Sequence, residues 1–110
     1  MNTHSLSKLF PLGQIVITLD ALRCLDPSDA CAALQRHANG DWGDLSLDDK
    51  DVSDSALKSG GQLVSAFRDR NGRRFFIVTR SDRRQTTLCL PNDDWPFSVV
   101  TDFAPATISQ

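Results

Sequence analysis

The 110-residue chain is predicted to be a single α+β domain. Three observations carry that prediction. A β-branched apolar run near the start reads as a strand. The segment after it carries helical spacing with clear start and stop residues. Past residue 61 the apolar period changes, and Asn71-Gly72 falls between two strand-like runs.

Residues 1–9 are polar and read as a loose terminal segment; residues 10–91 form the domain and 92–110 a C-terminal arm or added strand. "GQIVIT" (13–18) is a buried strand. Thr18 offers a helix N-cap, Asp20 lies in the first turn, and "LDALRCL" makes a short helix that must end near Asp26 because Pro27 follows. Asp26 as N-cap, Pro27 at the first helical position and Asp29 in the first turn open a second helix. Ala30, Ala33, Leu34 and His37 then share one face, and Asn39-Gly40 stops the helix with a left-handed glycine.

Ser46 and Asp49 form a shortened capping box for a third helix over 47–58, with a thin apolar stripe of Leu47, Val52, Ala56 and Leu57. "SGG" ends it. "QLVSAFRD", the Asn71-Gly72 turn and "RRFFIVTR" read as a hairpin. The second of these strands is apolar on both faces and therefore central. "SDRRQ" turns the chain into "TTLCL", closed by Pro91, completing a three-stranded antiparallel meander. In the tail, "WPFSVVTDF" alternates Phe97, Val99, Thr101 and Phe103, as an added strand or an arm over a neighbour's sheet edge does. The expected core is Ile15, Ile17, Leu22, Leu34, Trp42, Leu63, Phe67, Phe75, Ile77, Leu88 and Leu90.

Composition narrows the function classes. Hydrophobic content of 40%, charged content of 24% and net charge of -2 are those of an ordinary globular protein, so the total makes no case for nucleic acid or membrane. No apolar run is long enough to span a bilayer, and the start has no secretory character, which makes the cytoplasm the default compartment. Cys24, Cys31 and Cys89 form no C-x-x-C pair and His4 lies far from His37, so the cysteines read as buried thiols rather than as metal ligands. No phosphate loop, dinucleotide fingerprint or H-E-x-x-H occurs, and no cofactor or metal is expected. Ser65 and Cys89 fall in strands with no sequence sign of a base beside them.

All 14 acidic residues are Asp. They are unevenly placed: Asp41, Asp44, Asp48, Asp49, Asp51 and Asp54 face only Lys50 within 41–54, whereas Arg68, Arg70, Arg73, Arg74, Arg80, Arg83 and Arg84 crowd 68–84. The two patches either face each other or face partners. An acidic helix can imitate nucleic-acid phosphates, and an arginine face can grip phosphate or an acidic protein.

The acidic patch begins within "HANGDWGDLS" (37–46). As a connector, Gly40 and Gly43 supply turns, Trp42 anchors the loop, and Asp41 and Asp44 accept turn hydrogen bonds. As a site, His37 is a general acid or base near neutral pH.

"FPLGQIVIT", "RHANGDWGDL" and "LVSAFRDRNGRRFFIVTRSDRRQTTLCLP" together resemble a family of small bacterial proteins described as plasmid-related and found on mobile elements. The likeness covers residues 10–91 and is most specific in the G-D-W-G-D-L box. The chain departs from it in its 19-residue extension, 92–110, and in Ser53, where the family tends to have Asn. The resemblance implies a mobile-element accessory protein.

The leading expectation is thus a non-enzymatic binding or inhibitor module, anti-restriction or anti-CRISPR in its most specific version. Trp42, Asp41, Asp44, Arg68, Arg80 and Arg83 are its candidate binding residues. The expected partner is a protein, with a homodimer through residues 95–103; nucleic acid is a secondary partner, and a membrane is not expected. The alternative is a small metal-free ribonuclease, loosely like the RelE and colicin toxins, in which His37 moves the proton and Arg68 and Arg80 stabilise the phosphorane-like transition state.

Overall fold

A computed structural model describes residues 8–91 and the backbone of 99–100. Strand β1 (Gln14–Thr18) runs directly into helix α1 (Leu19–Cys24). Helices α2 (Pro27–Ala38) and α3 (Leu47–Ser59) follow, then strands β2 (Leu63–Arg68), β3 (Arg74–Thr79) and β4 (Gln85–Cys89). A two-residue strand β5 (Val99–Val100) completes the sheet. Every helix start is where the capping residues place it. The hydroxyl of Thr18 accepts from the Ala21 amide, the Asp26 carboxylate from Ser28, and the Ser46 hydroxyl from Asp49. Among the described residues no helix is long and apolar enough to cross a membrane.

The sheet order is β2-β3-β4-β1-β5. The β2-β3-β4 meander is antiparallel as expected, and β3 is central. The sheet is nevertheless mixed, because β1 lies parallel to β4, with Gln14 opposite Gln85 and Ile17 opposite Leu88. Its cause lies at the start of β1. Gly13, at φ +67°, passes against the backbone of Arg84, where a Cβ would come within 2.2 Å of a carbonyl carbon. The Gln14 amide donates to the Arg84 carbonyl at 2.9 Å. β1 therefore leaves from the same end as β4 and must run alongside it. Val99–Val100 pairs antiparallel with β1, so this part of the tail does add a strand; the rest of 95–103 lies outside the described residues.

Strand alternation turns Ile15, Ile17, Leu63, Phe67, Phe75, Ile77 and Leu88 to one face, where they are buried with Ala30, Ala33 and Leu34 of α2 and with Phe10, Leu12 and Trp42. Two expected core residues fall elsewhere. α1 is only six residues long and turns Ala21 inward, so Leu22 is 40% exposed and Leu25, beyond the helix, is buried in its place. Leu90 is only partly buried. Of the three thiols expected to be buried, Cys31 is, Cys89 is half-buried and Cys24 is exposed. The second face of β3 is not fully covered either: Phe76 and Val78 are half-buried, and the Arg74 guanidinium lies 5.1 Å from the Phe76 ring centre.

The hairpin at Asn71-Gly72 forms with a longer turn than a two-residue Asn-Gly loop. Gly72 donates to the Asp69 carbonyl, and Asp69 donates to the Arg73 carbonyl. That leaves a three-residue loop ending on Gly72 at φ +81°. The Asp69 carboxylate decides it by accepting from the amides of both Asn71 and Arg73.

The outer edge of β2 is covered by the segment around Trp42. Ala66 donates to the Trp42 carbonyl and accepts from the Asp44 amide, while the Ser53 hydroxyl bonds both the amide and the carbonyl of Val64. An edge closed in this way is no template for another strand.

Gly43, at φ +71°, makes that closure. A Cβ there would lie 2.1 Å from the Ala66 carbonyl oxygen, whereas one on Gly72 would meet nothing within 4 Å. Gly43→Ala is expected to cost about 3 kcal/mol or more, and Gly72→Ala about 1 kcal/mol, read from urea unfolding midpoints. Equal losses would show that the close approach at Gly43 does not matter.

Candidate functional site: a buried histidine and the Trp42 loop

α2 lies across the sheet with its last turn over β2 and β3, which brings His37 onto two inward-facing hydroxyls. The ring is fully buried. Its Nδ1 is 2.5 Å from the Ser65 hydroxyl and its Nε2 is 2.8 Å from the Thr79 hydroxyl. Thr79 and Thr86 hydroxyls are 2.8 Å apart, and Thr86 donates to the Leu12 carbonyl at 2.6 Å. Ser65, Thr79 and Thr86 are themselves fully buried.

The direction of this chain of bonds follows from its last acceptor. A carbonyl only accepts, so the single proton of Thr86 goes to Leu12. Thr79 must then donate to Thr86 and accept from His37, which assigns the proton to Nε2. The bare Nδ1 accepts from Ser65. Every member is satisfied with His37 neutral, which is what burial requires of it.

Aromatic rings close the remaining sides. Phe10 and Trp42 both meet the imidazole edge-on, with centroids at 5.4 and 5.5 Å. Burial, with a smaller contribution from the positive charge of Arg83, lowers the His37 pKa to about 3.

The loop that follows fastens the histidine in place. Gly40 is left-handed at φ +79° and its amide donates to the His37 carbonyl. Asp41 pairs with Arg36 at 2.7 Å and accepts from the Gly43 amide, and its carboxyl is held below the ordinary range, first by the hydrogen bond from Arg36. Trp42 is buried and donates from Nε1 to Asp54 of α3 at 2.7 Å. Asp44 pairs with Arg68 at 3.1 Å. "HANGDWGDLS" thus binds α2, α3 and β2 to one another.

The seven sheet arginines do not make one basic face. Arg68, Arg70, Arg73 and Arg74 cluster at one end of β3, and Arg80, Arg83 and Arg84 at the other; six steps of roughly 3.3 Å put Arg74 about 20 Å from Arg80. Most are already engaged. Arg70 holds Asp29 at 3.0 Å and Asp26 at 3.2 Å, bridging the β2–β3 turn to the start of α2. Arg80 pairs with Asp82. Arg83 (φ +61°) donates to the carbonyls of Gly61 and Ala56, closing the end of α3, and lies 5.8 Å from the Phe10 ring centre. The acidic and basic patches therefore meet only in part, through Asp44.

His37, Arg68 and Arg80 are not brought together. The imidazole has no opening to solvent, and the two arginines are held by Asp44 and Asp82. Ser65 does have a base beside it, contrary to its appearance in the sequence, but both partners are sealed in the core. The sign of this network in the sequence is faint: Ser65, Thr79 and Thr86 are hydroxyl residues at inward positions among Leu63, Phe67, Ile77 and Leu88. Among the described residues no three His, Cys or Asp side chains are grouped to hold a metal ion.

No protein-family model, no curated protein and no solved structure matches the chain.

A histidine of lowered pKa makes stability depend on pH in a definite sense. Below the ordinary value of 6.5 the unfolded chain takes up a proton that the folded chain refuses until about pH 3. Stability should fall as pH falls through that window, by at most about 1.4 kcal/mol per pH unit. Asp29 and Asp41 are also lowered, so their contributions are lost only below their ordinary value of 3.8. His37→Gln should fold less stably at neutral pH yet lose the slope between pH 6.5 and about 4 in urea unfolding. An unchanged slope would place the titration elsewhere.

Proposed function

We propose that the chain is a non-enzymatic binding module, an accessory protein of the mobile-element kind that the G-D-W-G-D-L box suggests, acting as an inhibitor through contact with another protein. The observation that carries this reading is the fate of His37. The best acid–base candidate of the described chain is sealed in the core with both ring nitrogens hydrogen-bonded. General acid–base catalysis needs such a group within reach of a substrate proton. The nearby hydroxyls are spent on the same network, and most of the sheet arginines on ion pairs and carbonyls.

What remains at the surface is suited to recognition. Asp41, Asp44, Arg68 and Arg80 are exposed, and each is held by an ion-pair partner. Anti-restriction or anti-CRISPR inhibition is the specific version that unpaired acids on α3 favour.

Two assays test the reading together. Single-stranded and duplex RNA incubated with the purified chain should remain intact, and the tagged chain should retain a stoichiometric protein from a bacterial lysate. Cleavage of RNA by the wild type that is lost in the surface variants Arg68→Ala or Arg80→Ala would overturn the proposal in favour of a ribonuclease.

A further inference from the structure

The acids of the described chain are unequally committed. Asp26, Asp29, Asp41, Asp44 and Asp82 are in ion pairs, Asp69 holds turn amides and Asp54 holds Trp42. Apart from Asp20, the acids left without such a partner among the described residues are Asp48, Asp49 and Asp51, all on α3.

The same helix carries the most exposed large apolar side chains described: Leu47 is 78% exposed and Val52 64%. At 3.6 residues per turn, Leu47, Asp48, Asp51, Val52 and Ser55 fall on one side of α3, while Ser53 and Ala56, its buried residues, fall on the other. Position in the first turn accounts for Asp48 and Asp49, since the helix dipole favours acids there. It does not account for Asp51, and folding gains nothing from Leu47 or Val52 left in water.

We propose that this outer face of α3 is the docking surface of the module, and that it takes a protein surface in which Lys and Arg surround an apolar depression. The inference rests on the binding-module reading and supplies its contact. Charge decides the class of occupant. Carboxylates with no counter-ion of their own repel a phosphate backbone and attract a cationic surface, while Leu47 and Val52 supply area that a purely ionic contact would not use. A second copy of the chain fits less well. The sheet arginines with neither an ion pair nor a carbonyl or aromatic partner, Arg73 and Arg84, sit at opposite ends of the sheet, and the other five are occupied by Asp, carbonyl or aromatic partners.

The test is a ¹H–¹⁵N NMR titration of the full chain with an amphipathic Leu/Lys helical peptide about 15 residues long, against oligolysine of equal charge. Shifts should centre on 47–55, the amphipathic peptide should bind more tightly than oligolysine, and Asp48→Lys/Asp51→Lys and Leu47→Ser/Val52→Ser should each weaken it about tenfold or more. All four positions are exposed, so Leu47→Ser/Val52→Ser should melt as the wild type does, while Asp48→Lys/Asp51→Lys, which loses an acid from the first turn of α3, should melt only a few degrees lower and remain folded.

Shifts centred elsewhere, equal binding of oligolysine, or equal affinity in the variants would overturn the proposal. So would self-association in sedimentation that is lost in Leu47→Ser/Val52→Ser, which would assign the face to a second copy, or binding of duplex RNA at α3. A lysate partner captured with α3 unmoved would sink this inference and leave the binding-module reading standing; RNA cleavage would sink that reading itself.

Discussion

One carbonyl oxygen sets the polarity of the interior. Because Leu12 can only accept, Thr86, Thr79, His37 and Ser65 must donate in a single direction, and the imidazole between them must carry its proton on Nε2. The chain of bonds spans five separate pieces of the polypeptide: the segment before β1, helix α2 and strands β2, β3 and β4. A one-residue slip of any strand would turn its hydroxyl to the other face and leave buried polar groups unpaired, at about 1–3 kcal/mol for each. The network therefore acts less as a source of net stability than as a fixed register for the sheet beneath α2.

The Trp42 loop follows from the same requirement. A histidine at the last turn of a helix stays dry only if something covers it, and Phe10 and Trp42 do so with their rings edge-on to the imidazole. Trp42 needs a partner for its indole N–H, which Asp54 supplies from α3. Gly43 then lets the backbone lie against Ala66, and the edge of β2 is closed by the connector that seals the core. Histidine, tryptophan and two glycines within a few residues are accounted for by packing and backbone geometry, and the chemistry that their composition suggests has no opening through which to act.

The helices and the meander were legible because their signals are local. Thr18, Asp26 and Ser46 cap where their side chains can reach, and β-branched runs on either side of Asn71-Gly72 make a hairpin. The parallel entry of β1 was not legible, since it depends on Gly13 passing the Arg84 backbone, a contact 71 positions apart in the chain. Nor was the partner set of His37. Its burial could be read from the face it shares with Ala33 and Leu34, but Ser65, Thr79 and Thr86 become its neighbours only when register and helix placement are fixed together. The seven arginines misled for a related reason: adjacency in sequence across two turns of a meander means opposite ends in space.

The most direct test of this account is the ring of His37 itself, observed in a long-range ¹H–¹⁵N spectrum of the folded protein from about pH 8 to about pH 5. A buried, directed network predicts a neutral imidazole protonated at Nε2, with ring shifts that do not move across that range. A ring that titrates near 6.5, or one that carries its proton on Nδ1, would contradict both the sealed core and the assignment of direction on which the rest depends.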